Sequence, residues 1–122
     1  SKIKNFNVVK LNDNNSLNDT FTITLSFLDG SLGTINYFSN GSKLFSKERI
    51  EVFCENKILQ LNNFKKLVGF DWPNFNKMNL FYQDKGHLNC YKEFLESIKY
   101  GSETPINIDE IFNISKIILK IN

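Results

Sequence analysis

Between Thr20 and Phe27 apolar and polar residues alternate without a break. Phe21, Ile23, Leu25 and Phe27 fall on one phase, and Thr22, Thr24 and Ser26 on the other. This period of two predicts a strand over 21–27 with one apolar face and one face of small polar side chains. Asp29-Gly30 follows at once and suits a hairpin turn, because glycine accepts a positive φ. The return strand is expected over 32–39, with Ile35 and Tyr37 on one face and Thr34, Asn36 and Phe38 on the other. Upstream, residues 5–11 are apolar and β-prone, and the turn formers of 13–19 mark a loop. Downstream, Asn40-Gly41 ends the hairpin. Ile50, Val52 and Cys54 then alternate with Arg49, Glu51 and Phe53, which predicts a strand over 48–54. Glu55-Asn56 is a turn candidate, and 57–61 and 64–69 read as two short strands parted by Asn62-Asn63.

The period changes in the last third. Residues 71–83 are irregular, carry Pro73, and are long enough to be a functional loop. From Asp84 to Tyr100 the apolar positions Leu88, Tyr91, Phe94, Leu95 and Ile98 recur at spacings of three and four, one stripe of a helix. Asp84 is placed to cap its first turn and Gly101 to supply the left-handed residue after its last. A second helix follows Asn107. The run Asn107-Ile108-Asp109-Glu110 has the form of a capping box, with Ile106 and Ile111 placed as its hydrophobic staple. Ile111, Phe112, Ile114, Ile117, Ile118 and Ile121 cover more than one face, so that helix is expected to be well buried.

These elements predict an α+β fold: an open, mostly antiparallel sheet of five or six strands with two C-terminal helices packed on one face. The row Phe21–Phe27 is expected to meet the helix stripe. The opposite face, with Thr22, Thr24, Ser26, Thr34 and Asn36, is left for solvent or association. The 122 residues fit a single domain spanning 1–122. No internal repeat is visible.

Composition narrows the function classes. Fifteen Lys and Arg against thirteen Asp and Glu leave a net charge of +2, too small to argue for nucleic acid or an anionic membrane. No run approaches the roughly 18 apolar residues of a spanning helix, and Ser1–Asn5 has no apolar leader core. A cytoplasmic location is the expectation. Two cysteines and one histidine make neither a disulfide framework nor a zinc site. Alanine is absent, Arg49 is the only arginine, and Asn, Lys and Ile abound. With the Asn residues scattered among strong apolar positions, this is the codon bias of an AT-rich genome rather than low complexity.

Candidate chemistry is sparse. The chain has no Gly-rich phosphate loop and no Gly-x-Ser-x-Gly elbow. His87, in Gln83-Asp84-Lys85-Gly86-His87, stands at a helix start where free N–H groups suit an anion or polar ligand. A capping turn with a solvent-facing histidine explains the same residues. Lys43, Ser46 and Lys47, on the link between two strands, are placed either to touch a ligand or to be solvated. Cys54 and Cys90 read as buried or half-buried structural thiols. Asp13 and Asp19 lack the spacing of a calcium loop. Trp72-Pro73 either stacks on a sugar ring or pins its loop to the body.

Several separate stretches carry a resemblance. They are Phe-Thr-Ile-Thr-Leu-Ser-Phe-Leu-Asp-Gly-Ser-Leu-Gly-Thr-Ile-Asn-Tyr (21–37), Ser-Lys-Glu-Arg-Ile-Glu-Val-Phe (46–53) and Leu-Asn-Asn-Phe (61–64). Gln-Asp-Lys-Gly-His (83–87), Glu-Phe-Leu-Glu-Ser-Ile-Lys-Tyr-Gly (93–101) and Thr-Pro-Ile (104–106) follow. In order and spacing, from Thr20 onward, the chain resembles the C-terminal domain of the glucose–fructose oxidoreductase, inositol dehydrogenase and rhizopine-catabolism family.

The resemblance implies a two-domain NAD(P)-dependent oxidoreductase of sugars, nucleotide sugars or cyclitols. Its C-terminal part is an open sheet with helices on one face and a dimer contact on the other. The Rossmann half, the catalytic lysine of a Glu-Lys-Pro motif and the catalytic histidine all belong to regions outside this chain. The chain is therefore expected to be a substrate-binding and dimerisation fragment, inactive alone, with NAD or NADP bound by the whole parent. His87 is not the missing catalytic histidine. Lys43, Ser46, Lys47, Lys85 and His87 match places that line the substrate cleft; no catalytic, cofactor or metal residue is assigned. The alternative is a stand-alone ligand-binding or assembly module without enzymatic activity.

Overall fold

The computed structural model describes residues 1–11 and 19–121. The loop expected over 13–19, Asp13 included, lies outside the described residues except for Asp19. Seven strands precede two helices: β1 (Ile3–Lys10), β2 (Thr20–Phe27), β3 (Leu32–Phe38), β4 (Arg49–Cys54), β5 (Lys57–Asn62), β6 (Lys66–Phe70), β7 (Lys77–Asn79), α1 (His87–Tyr100) and α2 (Ile108–Ile121). Every strand pair is antiparallel, and the class is α+β.

The strands form two sheets, β1-β2-β3 and β4-β5-β6-β7, rather than one sheet of five or six strands. Alternation dictates which face a side chain takes, but not which edges join. The stretch 39–48 ends one meander and begins another. The additional strand, β7, is three residues long, too short for a period to show, and lies in the segment expected to be irregular. The chain packs as two units, Ser1–Gly41 with Lys99–Asn122, and Ser42–Ile98.

In the first unit Leu28-Asp29-Gly30 closes the β2–β3 hairpin. Gly30 N–H donates to Phe27 O at 3.1 Å, and Gly30 has a φ of 87°. Asp29 Oδ1 accepts from Ser31 N at 2.9 Å and from Ser31 Oγ at 2.6 Å. These bonds, the Ser31 hydroxyl first, hold the Asp29 carboxyl below its usual range. The register puts Phe6 and Val8, Ile23 and Leu25, and Gly33 and Ile35 on one face, with Ile23 buried and Phe21 stacked on Tyr37 at 5.3 Å. The other face carries Asn5, Asn7 and Val9, then Thr22, Thr24 and Ser26, then Leu32, Thr34 and Asn36. None of these residues is charged. Thr22 Oγ1 donates to Asn36 Oδ1 across the pair at 2.9 Å.

Asn107 caps α2 as expected: its Oδ1 accepts from Asp109 N at 2.8 Å, and its carbonyl accepts from Ile111 N at 3.2 Å. Asp109 and Glu110 lie in the first turn and Lys120 in the last, matching the helix dipole. The expectation that α2 is well buried is not met, since Ile111, Phe112, Ile114 and Ile118 stay about half exposed. Among the described residues no strand packs extensively against α2, so its apolar residues are left uncovered.

In the second unit β4 to β7 form a meander with a clear division of faces. Ile50 and Val52, Leu61 and Leu59, Leu67 and Gly69, and Met78 share the apolar face. Arg49 and Glu51, Asn62 and Gln60, Lys66 and Val68, and Asn79 and Lys77 share the other. The β4–β5 hairpin turns on Glu55 and Asn56, with φ of 47° and 63°, a type I′ turn. Trp72 pins the β6–β7 loop: its Nε1 donates to Ile58 O at 2.9 Å, and Lys57 Nζ sits 5.7 Å from its ring. Of the two roles expected for Trp72, the structure places it in the pinning one.

The α1 stripe is also bare, with Leu88, Tyr91, Phe94, Leu95 and Ile98 all more than half exposed. The two cysteines are free and exposed, which corrects the expectation of buried or half-buried thiols. Cys54 lies on the apolar phase of β4, but every β4 residue is open to solvent. No helix among the described residues is long and apolar enough to cross a membrane.

Candidate functional site

The second unit gathers two segments far apart in sequence around one turn. The first is the link 42–48, where Ser42 accepts from Phe45 N through its carbonyl and from Leu44 N through its hydroxyl. The turn is Asn63-Phe64, both left-handed with φ of 52° and 49°, and Lys65 N closes on Asn62 O at 3.0 Å. Glu48 O accepts from Asn63 N at 2.7 Å, which ties the link to this turn. The second segment is the approach to α1. Asp84 N donates to Phe64 O at 3.0 Å, and Gln83 Nε2 donates to Asn63 Oδ1 at 3.0 Å.

An ion pair joins the two segments directly: Lys85 Nζ donates to Glu48 Oε1. The same ammonium lies 5.8 Å from the centre of the Phe64 ring. The Lys85 hydrogen bond holds the Glu48 carboxyl below its usual range, and the charges of Lys85 and Lys47 act in the same direction. Beside it, Glu51 accepts from Gln60 Nε2 at 2.7 Å and from Arg49 Nη2 at 2.6 Å. Its carboxyl is lowered by Gln60 first and Arg49 second.

The helix start differs from expectation in one residue. Gly86, with a φ of 75°, provides the carbonyl that accepts from Cys90 N at 2.9 Å, so Gly86 occupies the capping position expected for Asp84. Asp84 acts one step earlier, accepting from Gly86 N at 2.8 Å through Oδ1. A side-chain cap needs an acceptor on the capping residue. Here the carboxylate two residues upstream shapes the bend instead.

All five residues expected on the substrate side are exposed. Ser46 lines an open recess of about 260 Å³ with Leu44, Phe45, Glu48, Arg49 and Asn62. Lys85 reaches the recess residue Glu48 from the other segment, and Lys47 adds its charge there. Lys85 thus contacts the Glu48 carboxylate, Lys47 acts on it through charge, and Ser46 shares its recess. Lys43 stands on the same link, and His87 is the first residue of α1. Sequence reasoning missed Glu48, Phe64 and Arg49. The first and last lie inside Ser-Lys-Glu-Arg and Phe64 inside Leu-Asn-Asn-Phe, stretches that stood out as motifs but not as site residues.

Chemically the recess offers a hydroxyl, an amide, a guanidinium and a carboxylate beside an aromatic ring. These groups hydrogen-bond and stack; they do not form a nucleophile and base. No cluster of His, Cys, Asp and Glu among the described residues has the arrangement of a metal site. A second recess, about 370 Å³ at the β4–β5 hairpin, is lined by the turn itself, from Phe53 to Ile58. Comparison with protein-family models, with curated proteins and with solved structures finds no match to this chain.

Proposed function

We propose that this chain is the substrate-side and dimerisation part of a cytoplasmic NAD(P)-dependent oxidoreductase acting on a sugar, nucleotide sugar or cyclitol. The observation that carries this reading is the Lys85–Glu48 contact. It brings together the link 42–48 and the Gln83–His87 approach, the two stretches that the family resemblance assigns to the substrate cleft. Neutral and cationic hydrogen-bonding groups there suit ring hydroxyls. Two free, exposed cysteines suit a reducing compartment.

In this reading the chain orients the substrate while the nicotinamide and its binding loop belong to another domain. Isothermal calorimetry on the chain is expected to give no NAD or NADP binding; micromolar affinity for either cofactor overturns the assignment. The gene upstream of the Ser1 codon supplies the complementary test. A reading frame continuing into a strand, a G-x-G-x-x-G turn and a helix supports the two-domain enzyme.

A second reading, a stand-alone assembly module, draws on the bare helix stripes and the uncharged face of β1-β2-β3. A start codon at Ser1 favours it.

A further inference from the structure

The sheet β4-β5-β6-β7 has two edges of unlike character. β7 is three residues long and begins with Lys77, a short and charged edge of the kind that resists pairing. β4 is twice that length, holds no proline or lysine, shows no bulge in its pairing with β5, and is exposed at every residue. Among the described residues, its outer side has no strand partner.

The register decides which backbone groups face outward. Asn63 N donates to Glu48 O, and 48 and 63 stand opposite in the β4–β5 ladder, so this is a hydrogen-bonded pair. Such pairs alternate along an antiparallel ladder. Residues 50, 52 and 54 therefore turn their N–H and C=O groups toward β5. Residues 49, 51 and 53 turn theirs away.

We propose that β4 pairs antiparallel with β4 of a second copy of this chain, about a two-fold axis at Val52. Outward residues must meet outward residues, which permits only registers centred on a single residue. Centring on Glu51 sets two Glu51 carboxylates face to face. Centring on Phe53 sets Glu51 against the copy's Glu55. Centring on Ile50 overlaps only three strand residues, since 46–48 are not strand. Centring on Val52 overlaps 50–54 of β4, pairs no two carboxylates, and sets Arg49 opposite the copy's Glu55, the first residue of the hairpin turn, twice by symmetry. Arg49, already on Glu51 at 2.6 Å, has donors enough for both carboxylates. On the other face Ile50, Val52 and Cys54 meet Cys54, Val52 and Ile50 of the copy, so the apolar face continues across the axis. The contact does not use the β1-β2-β3 face, and it shares Arg49 with the recess beside Ser46.

The test is crosslinking in a Cys54→Ser, Cys90→Ser background with a single cysteine at position 50, 52 or 53. Residues at position 52 form a non-hydrogen-bonded pair with Cα atoms about 4.5 Å apart, within disulfide reach. Oxidised glutathione is expected to link Val52→Cys at least about tenfold faster than Ile50→Cys or Phe53→Cys, for chains with unchanged circular dichroism. Equal rates at the three positions, or a faster rate at 50 or 53, overturn the proposal. So does a monomeric mass by light scattering at high concentration. Arg49→Glu is expected to raise the dissociation constant roughly tenfold, and adding Glu55→Arg to restore it. Failure of that rescue rejects the register. Thr24→Lys, on the other sheet, is expected to leave the Val52→Cys link unchanged.

Discussion

Phe64 holds a backbone conformation that bulky residues rarely take, and it does so where two segments meet. Its φ of 49° is maintained by bonds on both sides, Lys65 N to Asn62 O and Asp84 N to Phe64 O. The ring it turns outward lies beneath Lys85. The Lys85–Glu48 pair is partly solvated, so its effect is best read through pH. Glu48 is held below its ordinary value of 4.5 in the folded chain. Its stabilising effect is present above that value and fades as the pH falls through the lowered one. Urea midpoints are expected to drop below pH 4.5 in the natural chain and to drop less in Glu48→Gln. At Gly69 a Cβ would lie 2.8 Å from the Phe75 ring, 3.0 Å from Phe75 O and 3.2 Å from Trp72 Cδ1. Gly69→Ala is expected to destabilise the second unit by about 1–3 kcal/mol, measured by urea unfolding.

At the scale of elements, β2, β3 and β4 were legible from alternation, β1, β5 and β6 from short apolar or β-prone runs between turn formers, α1 from its three-and-four spacing and α2 from its cap. β2 is the clearest case, with alternation unbroken from Phe21 to Phe27. The caps of α2 and the end of α1 at Gly101, with its φ of 61°, were legible from residue type alone. Asn107→Ala is expected to cost about 1 kcal/mol and to lower the helical circular dichroism signal. What escaped was whatever depends on partners rather than on period. β7 is held by β6 and by the Trp72 loop, not by any pattern of its own. Gly86 takes the cap of α1 because Asp84 bends the chain one step too early to do so. In the candidate site Ser46, Lys47 and Lys85 were legible as polar groups on irregular chain. Glu48 was hidden, because nothing local says that a carboxylate at the foot of β4 will meet a lysine beyond β7.

At the scale of the molecule, the apolar pattern promises more burial than the described residues achieve. Ile23 is the buried apolar residue among them, while the stripes of α1 and α2 remain open. A sequence shows which faces are apolar but not what covers them, and for this chain association is the expected answer. The β1-β2-β3 face, uncharged and carrying Thr22, Thr24 and Ser26, is the surface proposed for that association. Thr24→Lys at its centre would place two ammonium groups against each other across a two-fold contact. It is expected to lower the light-scattering mass to that of copies joined through β4 alone; an unchanged mass counts against the face.

The pinned Trp72 has a practical consequence. It is the single tryptophan of the chain and lies in the unit Ser42–Ile98. Its indole is tethered to Ile58 O, so its emission reports the four-stranded sheet and is silent about β1-β2-β3. Circular dichroism sums both sheets and both helices. Melting curves from the two probes that coincide would mean that one cooperative transition unites the units; curves that part would mean that each sheet melts on its own.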